Sequence, residues 1–273
     1  MNPRALSFRP VALFAVAAMT SVCAVVPVYD HELAVGPTTA SLRQWGLNVI
    51  LVDDGSGPAC AEELRRIAAA DSSVHLIRLA ENQGKGAAVM AGLQAAAQVG
   101  FTHALQIDAD GQHDCGDVPK LLAAAIAEPR ALICGRPLFD ASIPRHRLYL
   151  RYLTHVMVWL NTLSFDIPDS MCGLRVYPLS IVLPAIVADP PGKRMDFDVE
   201  VLVRLHWAGV PMRWIPTRVR YALDGVSHFR LVRDNWLITV MHTKLFFGML
   251  RRAPLLVARR LRAAVSTASR ATT

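Results

Sequence analysis

An apolar run, "HALQI" at His103–Ile107, ends in Asp108-Ala109-Asp110, and Asp114 and Asp117 follow with His113 among them. Acids this close repel one another by about a few kcal/mol at moderate effective dielectric. Carboxylates at i and i+2, leaving a strand as the chain turns, can face one cation. Mg2+ and Mn2+ suit such a mount, because they take few carboxylates and complete their shell with water and substrate phosphates. Asp108 and Asp110 therefore read as a metal mount open to substrate phosphates, with a solvated acidic turn the competing reading, and Asp114 and Asp117 as turn and helix-cap residues. His113 stands open between metal ligand and substrate contact.

Three further clusters could do chemistry. Asp53-Asp54-Gly55-Ser56 follows "NVILV". It reads either as a capped turn or as a place where Asp53 accepts hydrogen bonds from a base or ribose. "ENQGKGAAV" sets glycines and Lys85 before a helix, where backbone N–H groups and an ammonium would favour an anion, a capped helix start being the competing reading. The spacing GxxxxGK[ST] is absent, which disfavours an ordinary P-loop ATPase. "RPLFDASIPRHRLYLRYLTHVMVWLNTLSF" brings Arg136, Arg145, Arg147 and Arg151 before an apolar helix containing Trp159. Arginine forks suit a phosphate, so Arg136, Arg147 and Arg151 are candidates to hold one beside an apolar slot. A packed core helix with a basic approach is the competing reading. Asp196, Asp198 and Glu200 alternate with apolar residues; capping accounts for one or two of them, and Glu200 is a candidate support for the acceptor side.

Strands and helices must position these groups. Short apolar strands are expected at Cys23–Tyr29, Asn48–Val52, Val74–Leu79, His103–Ile107 and Ala131–Gly135. Helices are expected around Thr38–Trp45, Ala59–Ala70, Gly86–Val99 and Val118–Ala127. This alternation implies a three-layer α/β domain with a parallel sheet over about residues 22–135. Ligands in such sheets bind beyond the carboxyl ends of the strands, where "PVYDHE", "VDDGSG" and "DADGQHD" converge.

The chain of 273 residues is 53% hydrophobic, enough for one substantial core. Its five cysteines form no CxxC, which fits a reduced cytoplasmic protein better than a disulfide scaffold or zinc site. Val11–Val28 carries no charge and reaches the lower edge of a membrane span, yet its end reads as a buried strand. The net charge of +7 is concentrated in "RRAPLLVARRLRAAVSTASR". That tail reads either as a solvated, fraying terminus or as a contact with an anionic lipid surface, and less as a nucleic-acid site, for which it lacks aromatic platforms. "NWLITVMHTKLFFGMLRR" is expected as an amphipathic helix rather than a span, because His242 and Lys244 interrupt it. The resulting divisions are an apolar lead-in with possible membrane contact (1–21), a catalytic domain (22–235) and a basic amphipathic tail (236–273). The expected location is peripheral, on the cytoplasmic face of a membrane, with a single N-terminal span as the alternative.

Taken in order, "VVPVYD", "VDDGS", "NQGKGAAV", "DADGQHD", "DSMCGLRVY" and "GVSHFR" resemble the inverting family 2 glycosyltransferases, in particular the dolichyl-phosphate mannose synthase-like branch. The longer run through "YLTHVMVWLNTLSF" and "MDFDVEVLVR" is also similar to glycosyltransferases of bacterial aryl polyene and xanthomonadin-type pathways. The resemblance covers about residues 22–235. It implies a GT-A fold, Rossmann-like α/β/α with a C-terminal helical extension, a nucleotide-sugar donor and Mg2+ or Mn2+. The implied acceptor is lipid-like, a polyprenyl phosphate or an aryl polyene. Pro27, Tyr29 and Asp53 would then cradle the nucleotide. Asp108, Ala109 and Asp110 would hold the metal and diphosphate, with Lys85 and Gln112 nearby.

Asp169 in "PDSMCGLR" falls where the family has an acid near the sugar. For a hydroxyl acceptor it is the first choice as general base; for a phosphate acceptor, already anionic, it becomes a positioning residue. The sequence departs from the pattern at Asp30 and His31. It departs again at Ala222 and His228, where the mannose synthases have cations for the diphosphate. His228 and Arg230, with Arg220, are the candidate replacements. A non-catalytic membrane-associated binding protein of the same fold is the alternative class. A nucleotidyltransferase is disfavoured, since "PVYDHE" stands where its Gly-rich loop would follow the first strand.

Overall fold

The computed structural model describes residues 20–139, 145–220 and 231–271. Residues 1–19, which hold most of the apolar lead-in, lie outside them, as do 140–144 and 221–230. The first half of the chain alternates as expected: β1 (Val22–Val28), α1 (Glu32–Gln44), β2 (Asn48–Asp53), α2 (Pro58–Ala70), β3 (Val74–Arg78), α3 (Lys85–Val99), β4 (His103–Gln106), α4 (Val118–Ala127) and β5 (Leu132–Phe139). Prolines in the first turn start α2 and α4, where the missing N–H costs nothing. A left-handed Gly100 ends α3. α1 begins six residues before its expected start at Thr38 and carries Pro37 inside it. The second half adds α5 (Arg145–Thr162), β6 (Arg175–Pro178), α6 (Leu179–Ala188), α7 (Phe197–Trp207), β7 (Met212–Val219) and α8 (Leu231–Ala271).

The sheet has seven strands in the order β3-β2-β1-β4-β6-β5-β7. It is not wholly parallel: β6 runs antiparallel between β4 and β5. Strand neighbours alternate faces, so Cys23 and Val25 of β1 enter one core while Ala24, Val26 and Val28 enter the other. The first core is closed by α3, α6, α7 and α8, and the second by α1, α2 and α4. α8 buries Met241, Leu245, Met249 and Leu256 in the first core. The amphipathic helix expected from about residue 236 thus turns one side into the core. No helix among the described residues is long and apolar enough to cross a membrane.

β1 pairs with β2 on one side and β4 on the other. The chain therefore leaves β1 in opposite directions, and the crevice between β1 and β4 is where a doubly wound sheet opens for a ligand.

Candidate active site

The sequence clusters are tied to one another beyond the strand ends: Asp30 accepts from the Gly57 N–H at 2.7 Å, Asp54 from the Gln83 and Gly84 N–H groups at 2.8 Å, and Lys85 reaches Asp108. A polar cleft is lined by Asp108, Asp110, Gln112 and His113 from the loop after β4. Pro137 and Phe139 of β5, Arg151 of α5 and the Met171–Gly173 backbone close it. The loop after β4 is fixed by its own polar groups. Asp110 accepts from the Gln112 N–H at 3.0 Å, and the Arg220 N–H donates to the Gln112 carbonyl at 3.0 Å. Asp114 caps the following turn through the Gly116 N–H at 2.9 Å. Asp117 does not cap α4 as expected; its carboxylate accepts from the Arg218 N–H at 2.7 Å and ties the loop to β7. Ala109 is buried in the core, so it offers only backbone to a ligand.

Lys85 explains how the carboxylates coexist. Its ammonium donates to Asp108 Oδ2 at 2.9 Å and to Asp198 Oδ2 at 2.6 Å. Burial works against a charged Asp108, but Lys85 and the nearby His113 hold its carboxyl well below the usual range. Asp110 goes the other way: burial, then the charge of Asp108, push it up. The anion site expected at the start of α3 is not open. The Ala87 N–H donates to the Lys193 carbonyl at 3.0 Å, and a Cβ on Gly86 would lie 2.6 Å from Cβ of Phe197. The glycines around Lys85 admit the 192–197 segment, and Lys85 neutralises carboxylates.

Behind Lys85 runs a buried polar chain that sequence reasoning missed. Gln106 donates to Asp198 Oδ1 at 3.1 Å and accepts from the Tyr177 hydroxyl at 2.8 Å. Arg175, 1% exposed, donates to the Ser170 carbonyl at 3.0 Å and lies 3.6 Å from Asp198. A glutamine inside the apolar run "HALQI" was the available signal, since a buried amide needs partners. Glu200 braces the Gly192 N–H and Arg204, far from an acceptor role.

Asp169 is held from several sides. Arg151 grips it with two hydrogen bonds, Nε to Oδ2 at 2.6 Å and Nη2 to Oδ1 at 2.7 Å. The Met171 and Cys172 N–H groups donate to Oδ1 at 3.0 and 2.9 Å, and His155 Nε2 lies 3.4 Å from Oδ2. Burial opposes its charge, yet His155 and Arg151 hold the carboxyl well below the usual range. Each unit of lowered pKa is a tenfold loss of proton affinity, and a general base works best near the operating pH. In this arrangement Asp169 holds Arg151, whose guanidinium carbon sits 4.9 Å from the Phe139 ring centre, as its positioning reading requires.

The remaining candidates divide. Pro27 is buried in β1 and Tyr29 is half-buried just beyond it. Asp53 ends β2 fully buried, accepting from the Ser56 N–H at 2.8 Å and from Arg78 at 2.5 Å. A base approaching Asp53 meets Arg78 first, a residue the sequence reading did not single out. Arg136 is exposed on the strand face opposite Pro137 and Phe139, so it does not enter the cleft. The Arg147 side chain, His228 and Arg230 lie outside the described residues.

The donor set fits a divalent ion of the Mg2+ or Mn2+ kind. Asp108 and Asp110 both line the cleft, and the Lys85 ammonium lies 2.8 and 2.9 Å from the two Asp108 oxygens, so a cation would share that carboxylate with Lys85. The described residues form no cage of three or more His, Cys, Asp or Glu ligands. Two carboxylates with room for substrate phosphate oxygens match these hard ions.

Sheet order and site together define a GT-A glycosyltransferase. The fold matches that of glucosyl-3-phosphoglycerate synthase from Mycobacterium tuberculosis, solved with Mn2+, UDP-glucose and phosphoglyceric acid. The TM-score is 0.64 at 13% identity, over 84% of this chain and 79% of that one. Residues 23–180, more than half the chain, match the glycosyl transferase family 2 pattern, and the chain belongs to that family. The UDP-N-acetylglucosamine–dolichyl-phosphate N-acetylglucosaminyltransferase of Methanococcus voltae is 24% identical over 224 residues, 72% of this chain and 87% of that protein. The undecaprenyl-phosphate mannosyltransferase of Micrococcus luteus is 30% identical over 105 residues, 38% of this chain and 43% of that protein.

Proposed function

We propose that this glycosyltransferase moves a sugar, with inversion, from a nucleoside-diphosphate sugar to a phosphate-bearing lipid acceptor of the polyprenyl phosphate class. The observation that carries the reading is the Asp169–Arg151 clamp at the cleft wall. A hydroxyl acceptor, such as one on an aryl polyene, has to lose a proton, and the carboxylate in the expected base position is committed to Arg151. A phosphate oxygen arrives already charged, and the guanidinium charge that Asp169 fixes at the cleft wall suits it. The named relatives act on dolichyl and undecaprenyl phosphates, which supports the same acceptor chemistry.

In this reading Pro27 and Tyr29 border the nucleotide at the end of β1, with Asp53 and Arg78 beside them. Asp108 and Asp110 hold the divalent ion, which when bound stabilises the departing diphosphate. Lys85, shared between Asp108 and Asp198, keeps the buried acids in register. Arg151 orients the acceptor phosphate, and Asp169 and His155 hold Arg151. His228 and Arg230 remain candidates for the diphosphate, and Arg147 for the acceptor.

The test offers a panel of UDP- and GDP-sugars with undecaprenyl phosphate in detergent, read as sugar in the butanol-extractable lipid. Arg151→Lys keeps the charge and loses the fork, so the acceptor KM should rise about tenfold or more while Mn2+–UDP binding by calorimetry stays as in wild type. Asp110→Asn should abolish Mn2+-dependent nucleotide binding. Transfer to a free aryl polyene hydroxyl in preference to the lipid phosphate would overturn the acceptor assignment. Absence of nucleotide binding with any metal would overturn the donor assignment.

A further inference from the structure

α8 is 41 residues long, about 62 Å at 1.5 Å per residue. One side is sealed in the core by Met241, Leu245, Met249 and Leu256. The other side is apolar as well. Trp236, Phe247, Leu250, Val257 and Leu261 are 68%, 59%, 50%, 47% and 63% exposed. Their spacing of three, four and seven residues, or sums of these, puts them on one stripe. Arg233, Lys244, Arg251 and Arg262 are also exposed and follow one edge of that stripe at the same period.

α5, which packs on α8, repeats the arrangement. Tyr149 and Leu153 are 75% and 60% exposed. Each is two residues, about 200° of helical turn, from Arg151. The helix therefore aims Arg151 into the cleft and turns an apolar face outward.

We infer that the outer faces of α5 and α8 form a docking surface for an anionic lipid bilayer. Charge decides between occupants. α5 contains three Lys or Arg and no acid; α8 contains eight, and its sole acid, Asp234, is buried. A second copy of the chain on this face would bring cations against cations with no carboxylate to pair them. A bilayer with anionic headgroups supplies the missing charge to the basic edge and takes the apolar stripe into the acyl boundary. α8 would lie along the interface, because no described helix meets the length and apolarity of a span. The inference deepens the lipid-phosphate reading, since the same α5 would place the bilayer beside Arg151.

The test is sedimentation of the full chain with vesicles of phosphatidylcholine alone or with 30% phosphatidylglycerol, at about 50 and 500 mM NaCl. Binding should require phosphatidylglycerol, weaken at high salt and shift the Trp236 emission to the blue, a shift lost in Trp236→Phe. Phe247→Ser with Leu250→Ser should cut partitioning about tenfold or more, and Lys244→Glu with Arg251→Glu should abolish the preference for anionic vesicles. Both pairs should keep Mn2+–UDP binding and far-UV circular dichroism. Wild-type partitioning by both pairs would overturn the inference and assign binding elsewhere, including to residues 1–19. A stable dimer in sedimentation equilibrium that Phe247→Ser with Leu250→Ser converts to monomer would overturn it in favour of a second copy. Vesicle binding without any nucleotide binding would sink the transferase reading while leaving the surface standing.

Discussion

The backbone at Gly173 crosses Asp108 so closely that a Cβ there would lie 2.6 Å from Oδ2 and 2.7 Å from Oδ1. Those are oxygens that Lys85 and a cation compete for, so the contact is a constraint on chemistry rather than on folding. Gly173→Ala must push the Asp108 carboxylate aside, and Asp108 has a water-facing cleft into which to move. The expected result is a loss of Mn2+–UDP affinity of about tenfold or more by calorimetry, with the thermal midpoint within about 4 °C of wild type, a change of roughly 1 kcal/mol or less. A midpoint collapse with affinity intact in the folded fraction would count against it. At this scale the sequence exposed the groups that cluster locally. Asp108, Asp110 and Gln112 announce themselves within five residues. Lys85 and Asp198 are 113 residues apart, and nothing in either neighbourhood names the other. Asp169 was found, but its two readings could not be separated, because Arg151 reaches it from α5.

Among the elements, β1 to β4 were legible because buried parallel strands read as short runs of Val, Ile and Leu. β6 was not, since its four residues include the buried Arg175 and Tyr177, whose partners come from β4 and α7. α1 hid its first turns behind Pro37. The junction of α5, α7 and α8 also hid a polar pair. Asn161 bonds His242 Nδ1 at 3.2 Å, while the Trp207 indole N–H donates to the Asn161 carbonyl at 2.9 Å. Burial pushes the His242 imidazole from 6.5 down to about 4. The folded state therefore favours neutral His242, and that contribution is complete above pH 6.5 and lost as pH falls toward about 4. His242→Gln stays neutral and can still accept from Asn161. Urea denaturation across pH 7 to 4 should show the wild type losing on the order of 1–3 kcal/mol more than His242→Gln. Parallel curves would mean that His242 titrates normally.

For the molecule as a whole, the question is where the folded unit ends. The family resemblance runs only to about residue 235, and the basic amphipathic stretch beyond it could face membrane or core. The core disregards that boundary: Leu245, Met249 and Leu256 of α8 lie in the cluster that includes β1, α3 and α7. The Arg252 guanidinium stands 4.6 Å from the Trp207 ring centre. Beyond Leu256 the inward contacts dwindle to Arg259, on the Trp207 carbonyl at 2.7 Å, and Arg260, on the Leu163 carbonyl at 2.8 Å. Removing one buried Leu or Met side chain costs about 2–5 kcal/mol, so losing three approaches or exceeds the roughly 5–15 kcal/mol that stabilises a typical domain. A chain ending at Thr243 should therefore fail to melt cooperatively or to bind Mn2+–UDP. One ending at Arg262 should melt within about 3 °C of full length and bind the nucleotide as before. If the shorter chain melts and binds like the longer one, α8 is an appendage after all, and the boundary lies where the family resemblance ends.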